Sequence, residues 1–239
     1  MAPPNEPGQG TNSPALPGRT IVRDDFEDVL DLAGSDLFMH AMECVRSFGD
    51  FHLALSAGDL QDRLYVRLMV DPKFRALPWT RTHLWLVGEG ACSPATPGSC
   101  YAEIRETLVD HAGLPLEQAH PIEGDRADGA TAYEQELRDT LAWREPGHDR
   151  LDCVVLAAGG ADFEGWSAED CAHEQGRLVC LDDGRGVRLS PRLVNAARLI
   201  IVLASGSGGR GGLDATAGAA LDPIGGDLRW YLDRAALPA

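Results

Sequence analysis

Apolar residues fall along this chain in short continuous runs, separated by stretches with helical spacing. The runs FHLALS at 51–56, THLWLV at 82–87, DCVVLAA at 152–158 and LIIVLA at 199–204 are apolar on successive residues. That pattern, at that length, belongs to strands buried on both faces. Between the runs the spacing is helical. Residues 24–47 carry a stripe at Leu37, Phe38, Ala41, Met42 and Val45, and Gly34-Ser35 is expected to divide the segment into two helices, with Ser35 as an N-cap. Asp59 should cap a helix in which Leu60, Leu64 and Leu68 recur at every fourth residue and which Asp71-Pro72 stops. Ser99 and Gly113 bracket a helix over 100–112, and Thr131 with Glu134 reads as a capping box for a helix ending at Leu141. A hairpin is expected where 178–181 and 187–189 flank Asp182-Asp183-Gly184, followed by a helical turn at Ser190-Pro191. The spacing over 227–236 predicts a closing amphipathic helix.

Strands buried on both faces, alternating with helices, predict an α/β fold. It is doubly wound, with a mostly parallel sheet and helices on both faces, in one domain over 20–239. Residues 1–19, rich in Pro, Gly, Asn and Ser, read as a disordered tail. Ligands of such sheets bind beyond the carboxyl ends of the strands, which directs attention to loops 56–60, 88–99, 158–170 and 205–212.

Charge narrows the ligand. The chain has 21 Lys and Arg against 37 Asp and Glu, a net −16, which excludes nucleic acid and anionic membrane as partners. Lys73 is its only lysine, so a phosphate site would have to be built locally from arginines, backbone amides or a helix N-terminus. The opening MAPPNEPGQG lacks the features of a signal peptide, and no apolar run approaches membrane-spanning length. A cytoplasmic location with reduced thiols is the expectation. Six cysteines occur without a C-x-x-C pair, and Cys171, His173 and Cys180 lack the tight paired spacing of zinc sites, so no metal or cofactor is expected.

Several segments together carry a family resemblance: FRALPW at 74–79, PGSCY ending at Tyr101, RETLVDHAGLP at 105–115, AYEQELRDTL at 132–141, LSPRLVNAARLIIVLASG at 189–206 and WYLDRAAL at 230–237. In type, order and spacing this frame resembles the 6-phosphogluconolactonase family, within the wider glucosamine-6-phosphate isomerase-like group. The resemblance implies lactone hydrolysis of a phosphorylated sugar acid, at loops this chain has altered. The family's first loop reads S-G-G-S-T-P and holds phosphate with its amides; here Ser56 and Gly58 remain, but Ala57 replaces a glycine and Asp59 brings a carboxylate. The second begins D-E-R; here it is Gly88-Glu89-Gly90, so Glu89 stays and the arginine is gone, while Ser99 is retained further on. The third reads G-M-G-x-D-G-H-T-A-S, and Phe163 stands where its general-base histidine would be. The fourth is T-G-x-x-K; Gly209 takes the lysine position and Arg210 follows one residue later. Asn195, in the V-N-A-A-R segment, is kept.

A phenyl ring cannot accept a proton, so the base would have to come from elsewhere. His173, ten residues after Phe163, is the one histidine in the right loop; Glu89 is retained, and Glu164 and Glu169 are further candidates if burial raises their pKa. His40 on a helix, and His52 and His83 on strands, are expected to pack; His111 suits a helix C-terminus; His120 and His148 fall in connections. Gly206-x-Gly208-x-x-Gly211 follows a strand, but no second strand is expected in the 28 residues beyond it, so a dinucleotide-binding unit is not read there. Ser167-x-x-Asp170 reads as a helix start. Together these readings imply a family member with little or no lactonase activity that binds a sugar phosphate or a protein partner, for which family context suggests an enzyme of the oxidative pentose phosphate pathway. The rival readings are an active lactonase with His173 as displaced base and Arg210 on the phosphate, and a different sugar or acid hydrolase built in the same pocket.

Overall fold

The structure, a computed structural model, describes residues 16–142, 150–159, 176–182, 186–209, 213 and 221–237. Its strands are β1 (Arg19–Arg23), β2 (Phe51–Leu55), β3 (Thr82–Leu86), β4 (Gly88–Glu89), β5 (Ala119–His120), β6 (Cys153–Ala157), β7 (Val179–Asp182), β8 (Gly186–Leu189), β9 (Leu199–Ala204) and β10 (Asp227–Asp233). Seven of them form one sheet in the order β1-β10-β9-β6-β2-β3-β5, with every neighbouring pair parallel. A small antiparallel sheet, β4-β8-β7, carries the expected hairpin. The helices are α1 (Phe26–Phe48), α2 (Asp59–Val70), α3 (Cys100–Ile104), α4 (Asp110–Ala112), α5 (Gly129–Leu141) and α6 (Pro191–Asn195).

Every residue of β2, β6 and β9 is buried, which is why these strands read as unbroken apolar runs. Successive side chains of β2 face opposite layers: the Phe51 ring meets His40 of α1, whereas His52 stacks with Trp85, which in turn meets Tyr133 of α5. Helices therefore cover both faces. The strand order reverses between β2 and β6, and the crevice of a doubly wound sheet opens at the carboxyl ends flanking that point.

The structure corrects several local expectations. Residues 227–233 are not helical but form β10, wedged between β1 and β9. Leu228, Tyr231 and Leu232 suit a helical face as well as a strand, and short apolar runs do not decide between the two. Here the open hydrogen-bonding edge of β9 decides, and Trp230, Tyr231 and Leu232 are fully buried. The RTIVR segment then adds as β1, and the Trp230 indole donates to Pro17 O at 2.7 Å. Helix α1 is continuous: Gly34 does not break it but lets Phe74 approach, since a Cβ there would lie 2.9 Å from the Phe74 ring. Ser35 is not a cap and instead bonds back to Asp31 O at 2.6 Å. The N-cap of α2 is Gly58, with Asp59 already inside the helix. Helix α5 begins two residues before Thr131, and Glu134 pairs with Arg138 and Arg177 instead of closing a capping box. The 100–112 segment contains a π-helical turn at Arg105–Val109, and His120 closes β5 instead of lying in a connection.

Candidate functional site

At the crevice, β2 runs out into Ser56-Ala57-Gly58. Ser56 is buried; its hydroxyl donates to Val155 O at 3.1 Å and accepts from Gln61 Nε2 at 2.9 Å, while the Tyr65 hydroxyl donates to its carbonyl at 2.7 Å. Gln61 stands where the family pattern has proline, which has no comparable donor. Its amide therefore draws the serine oxygen inward. Gly58 sits at φ 146°, and a Cβ on it would come within 2.9 Å of Gln61 Oε1, so the turn needs glycine. No side chain caps α2, and its first turn carries Asp59 and Asp62. Burial, with Glu103 and Asp59 nearby, pushes the Asp62 carboxyl up. This helix start is electrostatically unfriendly to an anion.

Glu89, at the end of β4, is buried and fully engaged. Its Oε1 accepts the Gly90 amide at 2.9 Å, the Cys100 amide at 3.1 Å and the Cys92 thiol at 3.6 Å; its Oε2 accepts the Tyr101 amide at 3.0 Å. Ser99 shares the work, accepting the Ala102 amide at 3.1 Å and donating to Pro94 O at 3.0 Å. Both residues thus close the amino end of α3. Burial and the Glu89 carboxylate push the Cys92 thiol up.

The fourth loop follows the same rule. After β9, the Gly206 amide lies 3.0 Å and 3.2 Å from the two carboxylate oxygens of Asp233, and the Ser205 hydroxyl donates to Asp233 at 2.5 Å. The same carboxylate receives the Ala236 amide at 2.9 Å. An internal anion therefore occupies the start of the 206–209 turn. Gly209, at the family's lysine position, is pressed against the chain: a Cβ would lie 3.2–3.4 Å from Ala204 and Ala236. The second strand judged missing after the glycine loop is present as β10, so that ground for setting aside a dinucleotide site fails. What opposes the reading now is the Asp233 carboxylate on the first amide of the loop.

Ser56, Gly58, Glu89 and Ser99 all lie beyond strand carboxyl ends. Asn195 does not: it lies four residues before β9, at the opposite edge of the sheet. There its side chain accepts the Asp222 amide at 2.9 Å and its carbonyl the Ile224 amide at 2.7 Å, pinning the approach to β10. Phe163, Glu164, Glu169, His173 and Arg210 lie outside the described residues, as does the Ser167-x-x-Asp170 segment. Asp233, Gln61 and Tyr65 escaped the sequence reading; Asp233 would have been found had WYLD been recognised as a strand ending at the crevice. Among the described residues no group of three or more His, Cys, Asp and Glu side chains is placed to hold a metal ion, and no helix is long and apolar enough to cross a membrane.

A six-strand doubly wound order with an added parallel edge strand defines a doubly wound α/β class. The family model for glucosamine-6-phosphate isomerases/6-phosphogluconolactonase matches residues 24–222, and the chain belongs to that family. It is 28% identical over 195 residues to the human GDH/6PGL endoplasmic bifunctional protein, covering 75% of this chain but only 24% of that relative. It thus spans about a quarter of the length of this relative. The 6-phosphogluconolactonase of Synechocystis is 27% identical over 209 residues, covering 79% of this chain and 84% of the relative. The crystal structure of 6-phosphogluconolactonase from Thermotoga maritima superposes with a TM-score of 0.72 at 17% identity, over 90% of this chain and 99% of that one, and shares the fold.

Proposed function

We propose that this chain is a 6-phosphogluconolactonase-like protein of carbohydrate metabolism with little or no lactonase activity, acting by binding a sugar phosphate or a protein partner. The observation that carries the reading is the altered start of α2, where Gln61 draws the Ser56 hydroxyl inward, no side chain caps the helix, and Asp59 and Asp62 stand in the first turn. Glu89 and Asp233, in segments that match the family frame, receive the amides at two further helix starts on the crevice side, so those amides are already engaged. An anionic ligand at the start of α2 meets repulsion from Asp59 and Asp62. Phe163 at the position of the base supports the same reading, since lactone hydrolysis needs a proton acceptor and an oxyanion stabiliser. The human relative's name joins GDH to 6PGL in one bifunctional protein, which supports an enzyme as partner. A cytoplasmic site of action and a folded unit behind an N-terminal tail belong to this reading; Arg19 already pairs in β1 and Pro17 O accepts the Trp230 indole, so the unit starts ahead of residue 20.

The competing reading is an active 6-phosphogluconolactonase in which His173 supplies the base and Arg210 the phosphate contact. The retained family frame favours it. Lactone hydrolysis, corrected for the spontaneous rate, separates the two: a rate at background supports the proposal, and acceleration of the family's order overturns it. Thermal shift with 6-phosphogluconate tests binding in parallel, since a ligand at a hundred times its Kd stabilises by about 2.7 kcal/mol. If 6-phosphogluconate gives no shift and no partner enzyme is captured, the binding role is left without support.

A further inference from the structure

Three imidazoles and an indole lie side by side on one face of the sheet, on the strands themselves and not in the crevice loops. His52 of β2 is registered with His83 of β3, and Trp85 of β3 with His120 of β5. The His52 and His83 rings stack at 4.8 Å, and Trp85 and His120 at 3.7 Å with only 8° between their planes. The polar atoms are linked in order. Trp85 Nε1 donates to His52 Nδ1 at 3.1 Å, His83 Nδ1 lies 3.0 Å from His120 Nε2, and His120 Nδ1 lies 2.6 Å from Glu136 Oε1 on α5. His52, Trp85 and His120 are buried, His83 is partly exposed, and Glu136 is half-exposed.

The proton positions follow from what each group can do. An indole nitrogen only donates, so His52 Nδ1 accepts and its proton sits on Nε2, with Asp50 Oδ2 at 3.5 Å. A carboxylate only accepts, so His120 Nδ1 donates to Glu136. In a neutral His120 the Nε2 lone pair must then accept, which makes His83 Nδ1 the donor.

We propose that His83, His120 and Glu136 form a proton-operated latch between the sheet and α5. When the two rings take up one proton, His120 becomes doubly protonated. It then donates Nδ1–H to Glu136 and Nε2–H to His83 Nδ1, while the remaining proton of His83 resides on its own Nε2. The bond between the rings reverses direction, and no other atom is exchanged. The contact with α5 changes from a neutral donor on a carboxylate to an ion pair, and the added charge lies on the face of Trp85. The partly exposed His83 ring is where solvent meets the pair. Among the described residues, the charged groups near this array include Asp50, 3.5 Å from His52 Nε2, Asp152, whose Oδ2 accepts the His52 amide at 2.7 Å, and Glu123 and Arg126, which line the same cavity as Glu136. Tyr133 of α5 stays a neutral phenol, because burial pushes it well up, and its hydroxyl is bonded to Leu86 of β3.

The test combines histidine ¹⁵N NMR with hydrogen exchange of the α5 amides, corrected for intrinsic rates, between about pH 5 and 8. His83 and His120 should shift together in one transition, with His120 carrying its proton on Nδ1 above it. Below it, the α5 amides should exchange more slowly, of the order of fivefold, as a charge-assisted bond replaces a neutral one. Glu136→Ala, at a half-exposed helical position that alanine suits, should abolish the pH dependence of α5 exchange and leave the His52 signals unmoved. Separate transitions for His83 and His120, an Nε2–H tautomer of His120 at neutral pH, or unchanged pH dependence in Glu136→Ala would each overturn the latch.

Discussion

Glu89→Gln separates a structural carboxylate from a catalytic one. In the native chain Glu89 receives three amides and a thiol, at 2.9–3.1 Å for the amides and 3.6 Å for the thiol. Glutamine keeps one acceptor oxygen and turns the other into a donor. If its carbonyl stays toward Gly90 and Cys100, its NH₂ faces the Tyr101 amide, donor against donor; the opposite orientation loses more. One bond to a charged acceptor contributes about 1.5–3 kcal/mol, and an anion at a helix N-terminus about 0.3–1 kcal/mol. The variant should therefore lose about 2–4 kcal/mol. For a chain of this size each kcal/mol moves Tm by roughly 2–4 °C, so the melting point should fall by roughly 4–16 °C. Differential scanning fluorimetry reads the fall, and the background-corrected lactone assay on the same sample reads the chemistry. The cap reading requires a lower Tm with no change in hydrolysis. An unchanged Tm together with loss of a measurable lactonase rate would refute it and make Glu89 a base.

The remaining predictions address the site, the packing and the charge. Phe163→His alone should leave lactone hydrolysis at background, because the arginine of the second loop and the lysine of the fourth stay absent and Asp59 stays at the start of α2; recovery of turnover would count against the importance of those changes. Gly34→Leu should destabilise by about 1–3 kcal/mol in a urea melt, since even a Cβ would stand 2.9 Å from the Phe74 ring; an unchanged midpoint would show that α1 and Phe74 part easily. Asp62 is a carboxyl held above its ordinary range by burial and by Glu103 and Asp59. The folded state thus binds its proton more readily than the unfolded one, and the penalty is present above the folded pKa and relieved as pH falls through it. Asp62→Asn should therefore raise Tm at pH 7, with the gain shrinking in acid; a gain that grows on acidification would reverse the assignment.

The sheet's centre was legible because β2, β3, β6 and β9 carry buried apolar residues on successive positions, the mark of strands covered on both faces. Caps backed by a side-chain bond were legible too: Ser99 and Ser190 each accept from the amide three residues on. Expectations failed where a local signal met a tertiary partner. Gly34 stays helical because Phe74 uses the space its missing side chain leaves, and Glu134 serves two arginines across the fold instead of its own helix start. Of the candidate site, the altered loops were visible as residue types. Their engagement was not, since Gln61 on Ser56 and Asp233 on Gly206 are contacts between distinct elements.

Residue order alone thus determined the fold class and the family, because burial on both faces and a spaced frame of matching segments are properties of the linear chain. Tertiary structure alone decided that 227–233 is a strand, that Asn195 lies at the sheet's far edge, and that carboxylates fill the crevice-side amides. Those outcomes depend on which hydrogen-bonding edge or amide is left open when the other elements have packed, and no local pattern carries that information.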